Sequence, residues 1–452
     1  MRLFSEIRKI LTIAVHSPVI QLINGVGVIG LFIFAFGIFY KARTANIGIL
    51  IMGIAFVLIV RPIGKRLIRD PLLVFGSIFF LFVSIMAVRA IIEFDGYQVL
   101  IINRMFLYGC GFLLMFLVAF WMHQARGKWD WIFLTCLTGF LAQIIRKGEW
   151  ANFTELALLY WNGVKRAGFG STVNRFGLWS AIILLACALL HKRLWGCSEK
   201  KFWYGIRITF WFFMCSVSAM GLVFSQSRAA WLASAIVIIP IVLYQLYKTK
   251  QFKFKAVALL AIISIGVAFL TNLPEIVGRR AISDKETYKK LIEGTIDFQT
   301  ESVTGRSAIT ERLELYKLFF EKWKERPILG YGPGTSEILL KKMHGQYEWV
   351  SRFDHFHNIL FDVTLQLGVV GLILYAGCFF IIIRQLVRGK QRGQVELDYY
   401  LFAVGGLALI AIAAQFAQPL NATKGLYAVG LLGGIGYAST FNRFGGDSMP
   451  GA

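Results

Sequence analysis

Asp354-His-Phe-His-Asn-Ile-Leu-Phe-Asp-Val-Thr-Leu-Gln-Leu-Gly-Val-Val-Gly371 marks the place where a long hydrophilic segment runs back into a hydrophobic one. About 20 mostly apolar residues are needed to cross a bilayer as a helix, and the apolar run that begins at Asn358 continues to residue 383. The boundary is therefore read as a water–membrane interface. A histidine there, His357, faces water and the headgroup region together, and imidazole is one of the few side chains that takes up a proton near neutral pH. The plain alternative is a histidine that only anchors a helix end.

The same rule applied outward gives twelve candidate spans, with cores at 19–40, 45–60, 71–88, 105–122, 130–145, 173–190, 206–224, 229–247, 255–271, 358–383, 399–417 and 425–441. The composition agrees. Of 452 residues 57% are hydrophobic and 16% charged, with a mean hydropathy of +0.63, whereas soluble chains average about 25% charged. The expected fold is an all-α polytopic membrane protein of about twelve transmembrane helices with one large helical outward loop. It divides into spans one to nine (1–271), the loop (272–357) and spans ten to twelve (358–452). Arg2, Arg8 and Lys9 before the first apolar run resemble a signal peptide, but the run is long and spans follow at once, so it is read as an uncleaved first span. The six cysteines lie in spans or in one basic loop with no Cys-x-x-Cys pair, which indicates neither a disulfide framework nor a zinc site.

The formal charge is +23, and its distribution sets the orientation. Arg61, Lys65, Arg66 and Arg69, then Arg126 and Lys128, Lys192 and Arg193, Lys248 to Lys255, and Arg384 to Arg392 fall in loops poor in acids, as cytoplasmic loops should. Both termini are then cytoplasmic, and 89–104, 146–172, 225–228, 272–357 and 418–424 face outward. This charge pattern suggests membrane lipids as partners and no nucleic acid.

Within the large loop, Ser283-x-x-Glu286 with Gly294 brackets a helix at 284–293. A second helix is expected from about Arg306 to Arg326, with Ile309, Leu313, Tyr316, Phe320 and Trp323 on one face and Pro327 ending it. That stripe is expected to lie over the outer mouths of the spans as a lid. Gly330-Tyr-Gly-Pro-Gly334 makes a tight turn, and a short helix follows to Met343. Further upstream, Asn152-x-x-Glu155 caps a short interfacial helix that leads to Lys165 and Arg166.

Gly25-x-Gly-x-x-Gly30 looks like a dinucleotide fingerprint but lies inside a span with no preceding strand, so packing through small residues explains it. No phosphate-binding Gly-rich loop and no Asp-x-Asp is present, so no cofactor and no metal-held nucleotide sugar is indicated. Ser225-Gln-Ser-Arg228 forms a minimal outward turn between two spans and places an always-charged donor fork, suited to phosphate oxygens, at the interface; a snorkelling arginine is the alternative. Arg306 opens the lid helix. Arg146, Lys147, Arg166, Arg175, Arg279 and Arg280 are also outward and basic. Asp362, the one carboxylate well within an expected span, is costly in lipid; four residues after Asn358, it is placed to bond that amide.

His357-Asn358, nine residues, then Gly368-x-x-Gly371 resembles the motif of the bacterial O-antigen ligase family and its relatives, the O-antigen polymerases and protein O-oligosaccharyltransferases. Ser225-Gln-Ser-Arg228-Ala-Ala-Trp231 and the Gly305-Arg306, helix, Pro327-x-x-Gly-x-Gly332 arrangement resemble the same family in the same order. The resemblance implies a bacterial inner-membrane glycosyltransferase with its site facing the periplasm. It would move a polysaccharide from an undecaprenyl-diphosphate-linked donor to a sugar hydroxyl of a lipid A core acceptor. His357 is then the general base, Arg228 and Arg306 bind the pyrophosphate, and the reaction is metal-independent and inverting. Asn358, Arg175, Arg166, Arg146, Asp362 and Tyr331 are the further candidates for substrate binding, and His355 competes with His357. A polymerase, a protein glycosyltransferase or a transporter is the alternative.

Overall fold

A computed structural model of the chain describes residues 18–148, 150–161, 165–191, 193, 201–248, 308–343, 350, 353–417 and 423–443. Among these, every regular element is a helix. In chain order they are α1 (Pro18–Phe39), α2 (Ala42–Leu67), α3 (Pro71–Glu93), α4 (Gln98–Gln124), α5 (Trp129–Lys147), α6 (Phe153–Trp161), α7 (Val173–Leu189), α8 (Lys201–Ser225), α9 (Arg228–Lys248), α10 (Ala308–Glu325), α11 (Thr335–Lys342), α12 (Ile359–Gln391), α13 (Leu397–Ala413) and α14 (Thr423–Ala438). Seven of these, α1 to α4, α8, α9 and α12, are long and apolar enough to cross a membrane, and α7 and α13 are shorter apolar helices. Eleven of the twelve expected spans coincide with helices; the segment 255–271 and the helix expected at 284–293 lie outside the described residues.

Local sequence explains the helix starts. Asp70 accepts hydrogen bonds from the Leu72 and Leu73 amides at 2.9 and 3.1 Å ahead of Pro71, a cap followed by a residue that needs no donor. Asn358 does the same for α12, accepting from Leu360 and Phe361 at 2.9 and 3.3 Å. Between helices, contact comes from close packing rather than from a hydrophobic drive, since lipid tails are as apolar as the side chains. A Cβ at Gly27 would overlap the Trp121 ring, and one at Gly30 would press on Ile51 and on the backbone of α2. Two of the three glycines of the 25–30 stretch serve packing, as expected, while Gly25 has open space at its Cβ position. Phe79, Phe112, Tyr375 and Phe379 form an edge-to-face cluster that ties α3, α4 and α12.

Polar contacts sort to the two ends of the bundle as the charge pattern demands. At one end Arg326 meets Glu93 at 2.5 Å, Arg104 meets Glu337 and Asp354, Arg312 donates to the Phe416 carbonyl, and Lys424 donates to Phe39 and Tyr40. At the other, Arg193 reaches Asp130, Glu396 and Asp398, and Tyr437 donates to Asp70. Each contact joins segments expected on one side of the membrane.

Helix α10 matches its expected bounds within two residues, but its buried face differs. Leu315, Leu318 and Phe319 are buried, whereas Phe320, placed in the expected stripe, is 46% exposed. The helix turns so that Phe319 stacks on Phe361, rings 4.2 Å apart and nearly parallel, and meets the Phe356 edge. It packs with the ends of α3 and α4, the turn at Tyr331 and the start of α12.

Tyr331, expected to bind substrate, is buried here. Its hydroxyl donates to Glu325 Oε2 at 2.6 Å and lies 3.1 Å from the Lys322 carbonyl, tying the turn to the end of α10. Tyr331→Phe is expected to lower unfolding stability by about 1–2 kcal/mol, the cost of stripping one hydroxyl from a polar pair, as read by thermal unfolding of the purified protein.

Candidate active site

The two motif segments that the sequence places 40 residues apart are one structural unit. α12 is broken at Gly368, whose φ of 65° and ψ of −173° are open to glycine and to little else. The break frees backbone groups, and the Pro327–Gly332 turn takes them up. Val369 and Val370 donate to the carbonyls of Pro327 and Ile328, and Tyr331 and Gly332 donate to those of Leu365 and Gln366. The approach is close enough that a Cβ at Gly368 would overlap the Ile328 carbonyl, and one at Gly330 would come 2.6 Å from the Gln366 carbonyl. Gly330 and Gly368 are thus required by each other.

This seam fixes the loop before α12. Asp362, fully buried, accepts from the Phe356 amide through both carboxylate oxygens at 3.3 and 3.2 Å. It therefore holds the histidine loop rather than the Asn358 amide it was expected to bond; the Asn358 oxygen is committed to capping α12. The Gln366 side chain, also buried, accepts from the Gly334 amide at 2.6 Å and donates to Ser336 at 3.0 Å.

His357 then stands at the mouth with φ of 55°, a left-handed conformation uncommon outside glycine. Its ring meets the Phe353 edge and lies 4.3 Å from the ring of His355. Its Nδ1 is buried with no hydrogen-bond partner among the described residues, which is unusual for a polar atom. His355 instead bonds Asp354 through Nδ1, and Asp354 faces Arg104 at 3.9 Å.

Burial, aided by the nearby His355 and the Arg312 guanidinium of α10, pushes His357 down to about 3. The hydrogen bond to His355 holds Asp354 down at about 2. For His357 the sign is that of a base whose charged form is disfavoured on folding: between about 3 and its ordinary 6.5 the unfolded chain binds more protons. Stability therefore falls as pH drops through that window. NMR of ring-labelled protein is expected to show His357 neutral at pH 5, while a titration midpoint near 6.5 would contradict the burial argument.

Arg228 stands exposed at the α8–α9 turn, where Ser225, Gln226 and Ser227 are buried. The turn is braced from outside. Arg166 donates to the Ser225 and Gln226 carbonyls, both at 3.1 Å, and to Asn174 Oδ1 at 3.2 Å. Gln226, itself at φ of 48°, donates to the Tyr160 and Lys165 carbonyls. The segment around α6 is therefore a brace for the Arg228 turn, and three donor contacts of Arg166, expected to meet substrate, serve it. Arg175 follows Asn174 at the start of α7 and lies within electrostatic reach of Asp354, which links the turn to the histidine loop. Arg146 sits at the end of α5 with its guanidinium 5.0 Å over the Tyr40 ring. Arg306 lies outside the described residues, two positions before α10 begins.

Sequence reasoning missed the seam between the Gly330 and Gly368 motifs, the Asp354–His355 pair and Arg312. The polar residues at 312, 354 and 355 were visible, but only the fold brings Arg312 beside His357.

A helical membrane protein with a histidine loop pinned at one mouth of its bundle, among arginines from separate elements, is the class that these features define. The sequence model of the family described as O-Antigen ligase matches residues 213–376, a segment that runs from α8 through the Arg228 turn and α10 past Gly371, so the resemblance read from the motifs holds. A Rickettsia conorii protein with the provisional name polysaccharide ligase is 25% identical over 112 residues, 24% of this chain. The match spans only 27% of the length of that curated relative. Both similarities are to proteins described as ligases.

Proposed function

We propose that the protein is a glycosyltransferase of the bacterial inner membrane. It would ligate an undecaprenyl-diphosphate-linked O-antigen polysaccharide to a sugar hydroxyl of the lipid A core, with twelve spans, both termini cytoplasmic and the His357 mouth facing the periplasm. The observation that carries this reading is His357 at its motif position: pinned by Asp362 and the Gly368 seam, left with an unpartnered ring nitrogen and kept neutral, the form a general base needs.

In this scheme the acceptor hydroxyl attacks the anomeric carbon of the donor, its proton passes to His357, and the bond to the diphosphate breaks with inversion. A base held near 3 is weak in the free enzyme. The arriving diphosphate supplies the negative charge that raises it, because an anion nearby favours imidazolium. Arg228 and Arg306 meet the charge that develops on the leaving diphosphate, work that fixed guanidiniums do without a metal. Asn358 orients the histidine loop as the cap of α12.

The test is transfer by purified full-length protein given lipid-linked polysaccharide and rough lipopolysaccharide. A ladder of capped lipopolysaccharide on a gel, undiminished by chelator, is expected. No ladder, with donor consumed into glycoprotein or longer lipid-linked chains, would replace the acceptor; loss on chelation would remove the metal-free scheme.

A further inference from the structure

Three cations gather around one tyrosine, and a fourth lies within electrostatic reach of one of them. Lys424, at the start of α14, donates to the carbonyls of Phe39 and Tyr40 at 3.1 and 3.2 Å. Arg146 lies over the Tyr40 ring at 5.0 Å and Lys41 at 5.6 Å. Arg175 and Arg146 are both within electrostatic reach of Lys424. Among the described residues no carboxylate pairs with Lys41, Arg146 or Lys424, and Arg175 senses only the Asp354 carboxylate.

Like charges brought this close repel, the more so where burial thins the water between them. The tyrosine face and the last carbonyls of α1 offset part of that for single cations. They do not explain why cations from separate elements converge. The donor geometry adds to the argument. Two of the three ammonium N–H groups of Lys424 are used by the carbonyls, which leaves one. Arg146 donates to Gln143 Oε1 at 3.2 Å, which leaves most of its fork. A guanidinium fork with an ammonium beside it is the donor set that phosphate oxygens take.

We propose that Arg146 and Lys424, gathered at Tyr40, form a second anion site that takes a phosphate ester. Resting on the ligase reading, the phosphate is one carried by a substrate of that reaction. The same chemistry is offered by the diphosphate of the donor and by a phosphate on the acceptor glycolipid. A reaction that joins two anionic, membrane-held substrates needs a place for each.

Inorganic pyrophosphate is the probe. Binding to purified full-length protein, followed by calorimetry with sulfate as the control for bulk ionic effects, is expected to weaken at least tenfold in Arg146→Gln and in Lys424→Met. Arg146 is exposed, so its variant keeps the test valid should Lys424→Met fail to fold. Steady-state transfer by Arg146→Gln then separates the sources: a raised KM for donor alone assigns the donor diphosphate, and a raised KM for acceptor alone assigns the acceptor phosphate. Pyrophosphate binding and both KM values equal to wild type would overturn the site. If wild-type protein makes no ligated product while pyrophosphate binding still depends on Arg146, the site stands and the ligase reading falls.

Discussion

His357→Ala protein, present in the membrane at normal levels, is expected to lose about 10²–10⁴-fold in transfer rate, the contribution of a positioned general base. Arg228→Ala is expected to lose a comparable factor, about 10²–10³, as when one preorganised donor to a developing anion is removed. The two losses should differ in kind. Without the imidazole, donor binding stays and the chemical step fails. Without the guanidinium, both the bound diphosphate and the leaving diphosphate lose a partner, so the donor KM rises as kcat falls. Arg228→Lys should recover little, since a point charge does not replace a two-pronged fork. Capped lipopolysaccharide on a gel, alongside membrane protein levels, reads the result; full capping by either alanine variant would remove that residue from the chemistry.

Gly368→Ala is expected to be the most damaging single methyl group in the chain. Its backbone angles lie in a region that costs non-glycine residues on the order of 1–3 kcal/mol, and the added Cβ has no space because it meets the Ile328 carbonyl and the Leu329 amide. Relief would require the Pro327–Gly332 turn to lift from α12. That breaks four backbone hydrogen bonds and releases the loop that holds His357. The expected outcome is protein that fails to accumulate or that unfolds at least 5 °C lower, judged against about 2–4 °C per kcal/mol for chains of 150–250 residues. Gly393→Ala is the control, because Gly393 has a similar φ of 69° with open space around its Cβ position. It shares the positive φ without the overlap. Equal effects of the two substitutions would mean that the seam is not the reason for glycine at 368.

What could be read in advance follows from which forces act locally. Span positions come from apolar length, so α1 to α4, α8, α9 and α12 lie where the sequence puts them. The turn at 225–228 and the end of α10 before Pro327 follow from local chemistry in the same way. The facing of α10 did not, since a helix with apolar residues on more than one side is oriented by what it meets, here Phe356 and Phe361. Asp362 was read toward Asn358 because four residues is the reach of a helical turn; the chain before Asn358 bends back and offers the Phe356 amide instead. The motif glycines at 330 and 368 were visible as motif, but their reason, a broken helix mated to a distant turn, is a tertiary fact. Arg166 reads from the sequence only as a basic candidate for substrate; that it also braces two carbonyls and an amide oxygen is again a tertiary fact.

The account turns on one event, transfer of glycan from a lipid diphosphate to a glycolipid hydroxyl at the His357 mouth. The most direct measurement is the mass of the product formed by purified protein from a single defined lipid-linked glycan and rough lipopolysaccharide. The account predicts acceptor mass raised by the glycan alone, with undecaprenyl diphosphate released in equal amount. Unchanged acceptor mass, or a gain that includes phosphate, would contradict it.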